Sequence, residues 1–219
     1  MKNSGNAEPQ LGIDWASSSW KSRGYLPHYD CQNSYQSISF RLNDSLPQTL
    51  LKQMEEELKF IEEGKKELHK RVKIEKWLDA GYGSCALKNP ELAGKMQDTL
   101  MKFHNIKYNL IAWCIMPNHV HVLINTKDSL SKIVQSWKSY VGKWALNNND
   151  RLCLSIPNEN RAELGLGAPR KFWMREYWDR FIRDEVHFNN TIEYIHNNPV
   201  KAGLCENPQD WLWSSAGQR

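Results

Sequence analysis

The feature that most constrains this 219-residue chain is an apolar run, residues 108 to 116, followed by Pro117-Asn118 and then His119-Val120-His121-Val122-Leu123-Ile124. Both runs are rich in branched and aromatic residues, and the turn signal between them reads as an antiparallel hairpin. Upstream, Tyr-Gln-Ser-Ile-Ser-Phe-Arg-Leu at 35 to 42 alternates polar and apolar, as a half-buried strand does.

Helical patterns separate these strands. Pro47 opens one with Leu50, Leu51, Met54, Leu58 and Ile61 on one face, expected to form two helices broken near Gly64 and ended by Gly81 and Gly83. Asn89-Pro90 opens another through Met96, Leu100 and Phe103, and Ser129 caps a third that carries Ile133, Val134, Trp137, Val141 and Trp144. A last helix runs from Asp184 through Phe188, Ile192 and Ile195. It is expected to stop at Asn198-Pro199, because the residue before a proline is pushed out of the helical region. The fold class expected is α+β: an antiparallel sheet with helices on one face, an inserted helical segment at about 46–81 and an N-terminal arm. Residues 1–24 are read as the arm, 25–219 as one domain, and 147–170 as a mobile loop without either period.

Composition excludes several classes. With 40% hydrophobic and 25% charged residues the chain has the balance of a globular protein. Its longest uncharged apolar run, 110–117, is far short of the roughly 20 residues a membrane span needs. Met1-Lys2-Asn3-Ser4-Gly5-Asn6 has no apolar core behind it, so no secretory signal is expected. The five cysteines are odd in number and contain no C-x-x-C pair, which reads as free thiols in a reducing cytoplasm. Ten tryptophans and a net charge of +4 are compatible with a nucleic-acid partner without requiring one.

Two residues separated by one on a strand share a face, so His119 and His121 project together and can converge on one divalent metal, or can be half-buried structural histidines. On the last helix Tyr194 and Asn198 are spaced i, i+4 and share a face, which offers an amide oxygen beside a phenol. A phenol suits attack on phosphorus when a metal draws charge from the phosphoryl oxygens. The alternative is a core aromatic at helical spacing, and pattern alone leaves both open.

The stretch 116–124, Met-Pro-Asn-His-Val-His-Val-Leu-Ile, resembles the His-hydrophobe-His motif of the single-tyrosine transposases. The runs 177–185 and 194–203, the latter Tyr-Ile-His-Asn-Asn-Pro-Val-Lys-Ala-Gly, resemble the C-terminal signature of their REP-associated branch. Residues 23–30, 40–47 and 136–140 add further matches, so that the likeness covers most of 20–215. The resemblance implies a ferredoxin-like or RRM-like sheet, with His119, His121 and Asn198 as ligands of Mg²⁺ or Mn²⁺ and Tyr194 as the nucleophile. It implies cleavage and rejoining of single-stranded DNA beside hairpins with short flanking tags, through a 5′-phosphotyrosine.

Arg23, Tyr25, His28, Lys138, Lys143, Trp173, Arg175, Arg180 and Arg183 are the expected DNA contacts. Residues 170–183 combine five basic side chains with Trp173, Tyr177 and Trp178, the mixture of cations and stacking faces that single strands use. Tyr140, on the lysine-bearing third helix, is a competing nucleophile by residue type. Two other functions fit the same residues: a non-catalytic single-strand binder, and a metal-dependent phosphodiester hydrolase without a covalent tyrosine. A monomer is expected, with a dimer that exchanges the tyrosine helix as the alternative; the location expected is cytoplasmic and nucleoid-associated, with no membrane partner.

Overall fold

The computed structural model describes residues 19–22, 27–30, 33–156 and 171–218. Strands β1 (Ser19–Ser22) and β2 (Pro27–Asp30) form a small antiparallel pair. The rest of the expected N-terminal arm, and residues 157–170 of the expected loop, lie outside the described residues.

The main sheet contains β3 (Tyr35–Arg41), β4 (Tyr108–Ile115), β5 (His119–Thr126) and β6 (Trp178–Phe181), all antiparallel, in the order β4-β5-β3-β6. Between β3 and β4 lie α1 (Gln48–Leu58), α2 (Glu63–Asp79) and α3 (Pro90–Met101). Between β5 and β6 lie α4 (Leu130–Asn147) and the single turn α5 (Asn149–Leu152), and α6 (Glu185–Lys201) follows β6. Each β-helix-β unit returns parallel to its first strand with one strand between them, which is the ferredoxin-like arrangement that the family resemblance implies.

Alternation along β5 sorts the two faces. Val120, Val122 and Ile124 join Ile38, Phe40, Trp113 and Ile115 in the large core beneath α3 and α4. His119, His121 and Leu123 point the other way, where Ile195 of α6 packs with Ala112, Cys114, Met116, Leu123 and Ile182. Helices α3 and α4 thus share one face, and α6 covers the opposite one. The two histidines, which the sequence leaves as metal ligands or half-buried structural residues, are only 2% and 4% exposed.

The inserted helices α1 and α2 break at residues 59–62 and build a small core of Leu46, Met54, Ile74 and Leu78, with Trp178 against it. The C-terminal end of α2 is tied to the β4–β5 turn, because the Asn118 side-chain amide donates to the carbonyls of Leu78 (3.2 Å) and Tyr82 (3.0 Å). Gly83, at φ +88°, lets the chain beyond α2 also approach the segment after β3: a Cβ there would meet the Asp44 carbonyl oxygen at 2.5 Å.

Helix α6 does not stop before Pro199. The proline removes only the N–H that would bond the Ile195 carbonyl. The turn beyond is closed by Ala202 N–H to Asn198 (3.0 Å) and Leu204 N–H to Pro199 (2.8 Å), with Gly203 left-handed at φ +67°. The C-terminal tail then lies along the edge of β4, where Ile115 N–H donates to the Trp213 carbonyl and the Trp211 indole to the Ile115 carbonyl. That packing accounts for both tail tryptophans and covers a sheet edge. Among the described residues no helix is long and apolar enough to cross a membrane.

Candidate active site

Three side chains from two elements meet at the middle of the α6 face. The rings of His119 and His121 are 4.7 Å apart, and the Tyr194 ring lies 5.5 Å from that of His121, near perpendicular to it. Strand alternation puts the histidines side by side. The apolar stripe of α6, with Thr191, Ile195, Asn198 and Pro199 buried, sets the helix rotation that turns Tyr194 toward them. Asn198 lies one turn on, its amide N–H₂ donating to the Tyr194 carbonyl at 2.7 Å.

Each histidine is held through Nδ1: His119 by the Asn118 amide oxygen and His121 by the Ser39 hydroxyl, both at 2.7 Å. Asn118 fixes the proton on His119. Its N–H₂ is committed to two carbonyls, so its oxygen must face the ring, and Nδ1 of His119 must be the protonated nitrogen. The Nε2 lone pair is then free for a ligand, and an imidazole oriented through Nδ1 is the usual arrangement at metals. Burial and the neighbouring His121 hold His119 well below the usual imidazole range. Burial, with Arg71 and Lys201 nearby, brings His121 down to about 3. Both rings are therefore neutral, the form a metal requires.

Among the described residues no group of three or more His, Cys, Asp or Glu side chains is placed to hold a metal ion. The two neutral imidazoles, 4.7 Å apart, are borderline donors of the kind that hold a divalent cation.

The phenol of Tyr194 is raised above its ordinary range, first by burial and then by Glu75 and Asp79, with Arg71 and the Asn198 amide opposing. Asp79 itself is pushed up to about 6 by burial, with Lys201 opposing. The Lys201 ammonium sits 4.5 Å from the Tyr194 ring centre. Beside the tyrosine a cleft of about 400 Å³ opens between α2, β6 and α6, lined by Arg71, Glu75, Arg180 and His187 among others. The sequence pattern gave no reason to select Arg71, Glu75 or Asp79, which sit in a helix whose charges nearly cancel.

The expected DNA contacts divide. Arg180 lines the cleft, and Arg183 is exposed just beyond it. Arg175 is exposed next to Glu176, at 3.6 Å, and Lys143 is exposed on α4. Lys138 is instead structural in its contacts: its ammonium donates to the carbonyls of Met174 (2.8 Å) and Arg175 (2.7 Å), and burial brings it down to about 8. Trp173 corrects the expectation of a stacking face. It is 6% exposed, with its ring 4.9 Å from Phe40 and 4.6 Å from Phe172, because the segment before β6 folds into the core. Arg23 and Tyr25 lie outside the described residues, and His28 is on β2 opposite Lys21. The competing Tyr140 is on α4, across the sheet from the histidines, beneath Lys95 and Lys102.

Comparison with known proteins adds a family to this geometry. A "Putative REP-associated tyrosine transposase" of Haemophilus influenzae is 29% identical over 108 residues, covering 49% of this chain and 58% of that protein. A REP-associated tyrosine transposase of Escherichia coli is 21% identical over 108 residues, covering 49% and 54%. The chain thus spans about half the length of the curated relatives it matches. A solved structure of a REP-associated tyrosine transposase bound to a REP hairpin gives a TM-score of 0.49 at 15% identity, covering 88% of this chain and 82% of that one. The family model described as Transposase IS200 like matches residues 89–198, half of the chain and inclusive of His119, His121, Tyr194 and Asn198, and the chain belongs to that family.

Proposed function

We propose that the protein cleaves and rejoins single-stranded DNA beside hairpins of the REP type, with Tyr194 as nucleophile and His119, His121 and Asn198 as ligands of Mg²⁺ or Mn²⁺. The observation that carries this reading is the placement of Tyr194 5.5 Å from His121 within one chain. A single copy then holds the nucleophile and both imidazoles, which favours a monomer. Residues 25–219 act as one catalytic domain in this reading, and its substrate places it with the nucleoid in the cytoplasm.

Attack joins the Tyr194 oxygen to phosphorus as the bond from phosphorus to the 3′ oxygen breaks. The phenolic proton passes to solvent and the 3′ oxygen takes one up, so no water is consumed. The products are a 5′-phosphotyrosine and a 3′-hydroxyl, and a hydroxyl on another strand can reverse the step. A divalent metal, when bound, supplies Lewis-acid polarisation of the phosphoryl oxygens. The chain's own groups do the remainder. Burial keeps the imidazoles neutral while Asn118 and Ser39 aim them, Asn198 and the buried stripe of α6 hold the phenol in place, and Arg180 and Arg183 meet the strand, with Arg175 and Lys143 further out on the surface.

Labelled hairpin DNA with randomised unpaired flanks, incubated with the protein and Mn²⁺, should give a protein–DNA adduct that survives denaturation and is lost in chelator. A cleaved strand without any adduct would instead favour a hydrolase, and binding without cleavage a plain binder.

A further inference from the structure

Helix α2 lies outside the family match at residues 89–198, yet one side of it forms a wall of the cleft at Tyr194. Arg71, on that wall, is placed centrally. It acts electrostatically on His121 and Tyr194 on one side and on Arg180 and His187 on the other. Among the described residues Arg71 has one ion-pair partner, Glu75, at 3.2 Å and one turn away on the same helix. Among the described residues no carboxylate reaches ion-pair distance of Arg180 or Arg183. Arg71 and Arg183 act repulsively on Arg180, with Glu75 opposing, while Asp79 and Asp184 act on Tyr194 and His187, and an anion arriving between the guanidinium groups relieves their repulsion.

The neutral groups of the cleft also suit an anion. The His187 Nδ1 accepts the Arg183 backbone N–H at 3.4 Å, which leaves the ring proton on Nε2 as a donor. Ser37 and Ser39 add hydroxyls. On the α2 side, Leu68 and Val72 are 64% and 57% exposed and line the same cleft, an apolar strip beside a cationic floor. Single-strand sites combine those two surfaces, one for bases or sugars and one for phosphates.

We propose that the inserted helix α2 supplies a DNA-backbone subsite, in which Arg71 and Arg180 together hold a phosphodiester of the strand that Tyr194 attacks. The proposal rests on the single-strand reading of the site. Arg71 gives up its contact with Glu75 when the phosphate arrives, and a guanidinium suits this exchange because its planar fork matches either oxyanion.

The test is the salt dependence of binding to a fluorescent 12-nucleotide oligothymidylate, with EDTA present so that no cleavage occurs. Each phosphate contact removed lowers the slope of log affinity against log salt by about 0.7 on single strands. Arg71→Gln and Arg180→Gln should each do so, with affinity falling roughly three- to tenfold at low salt. Glu75→Gln should tighten binding and keep the slope. Lys65→Gln, on the exposed first turn of α2, should leave both nearly unchanged. In the hairpin reaction with Mn²⁺, Arg71→Gln should slow adduct formation without weakening Mn²⁺ binding. If wild type binds and forms adduct while Arg71→Gln keeps the wild-type slope and rate, the α2 subsite is wrong and the transposase reading stands. If wild type neither binds nor reacts, both fall.

Discussion

Tyr194 and His121 stand 73 positions apart in the chain, with their rings 5.5 Å apart and inclined at 81°. One is on α6 and the other on β5, and their meeting depends on Ile195 entering the apolar cluster beneath the helix. The histidines alone make a pair of neutral donors. It is the packing of α6 that brings a phenol to that pair.

Asn118 links that site to the inserted helices, since one amide holds His119 and two carbonyls at the end of α2. Asn118→Ala is expected to weaken Mn²⁺ binding roughly 10- to 100-fold, as the loss of an outer-sphere ligand partner does. It should also destabilise the fold by about 1–3 kcal/mol through the unpaired buried groups. Ser39→Ala should show the metal effect with a smaller loss of stability. Metal titration calorimetry and urea unfolding measure the two effects separately.

Acid should destabilise the metal-free protein in a way that His121 controls. Its folded pKa is about 3, against 6.5 unperturbed, so between those values the unfolded chain binds a proton that the fold does not. Stability from this group is complete above about pH 6.5 and falls as pH decreases, by about 1.4 kcal/mol per pH unit within the window. Asp79 acts in the opposite sense. Its raised folded pKa of about 6 means the fold takes up a proton before the unfolded chain does, which offsets part of the loss. Urea unfolding between pH 7 and 4.5 in EDTA should therefore give a shallower acid slope for His121→Gln and a steeper one for Asp79→Asn.

Trp173→Ala should unfold the protein at distinctly lower denaturant, with a cost of about 3–5 kcal/mol for a large buried aromatic. Its ring fills the core against Phe40 and Phe172. A stacking role would produce the reverse pattern, with unchanged unfolding and weaker binding of single strands.

Lys138→Met should cost about 1–3 kcal/mol, because the carbonyls of Met174 and Arg175 lose their shared donor. Mn²⁺ affinity should be unaffected, since α4 lies across the sheet from the histidines. Thermal unfolding and metal titration of the same variant check both statements.

Most of the scaffold was legible in the sequence, since Tyr35–Arg41, the 108–126 hairpin and the helices opening at Asn89-Pro90 and Ser129 carry strong local signals. His119 and His121 were legible as a same-face pair for the same reason. What periodicity missed depends on tertiary contact. The histidine face is covered by a helix, so its polar letters are buried. Pro199 stays inside α6 because only one hydrogen bond is lost and the following glycine closes the turn. Arg71, Glu75 and Asp79 belong to a helix of mixed charge, and the packing of Ile74 and Leu78 with Trp178, together with the anchoring of its end by Asn118, brings them to Tyr194.

The central claim is that Tyr194 forms the covalent bond to DNA. The direct measurement is the denaturation-resistant adduct on labelled hairpin DNA with Mn²⁺, compared among wild type, Tyr194→Phe and Tyr140→Phe, with the adducted peptide mapped by mass spectrometry. The account predicts adduct in wild type and Tyr140→Phe, none in Tyr194→Phe despite near-normal DNA binding, and a modified peptide containing residue 194. Adduct that persists in Tyr194→Phe, or that maps to residue 140, would contradict it.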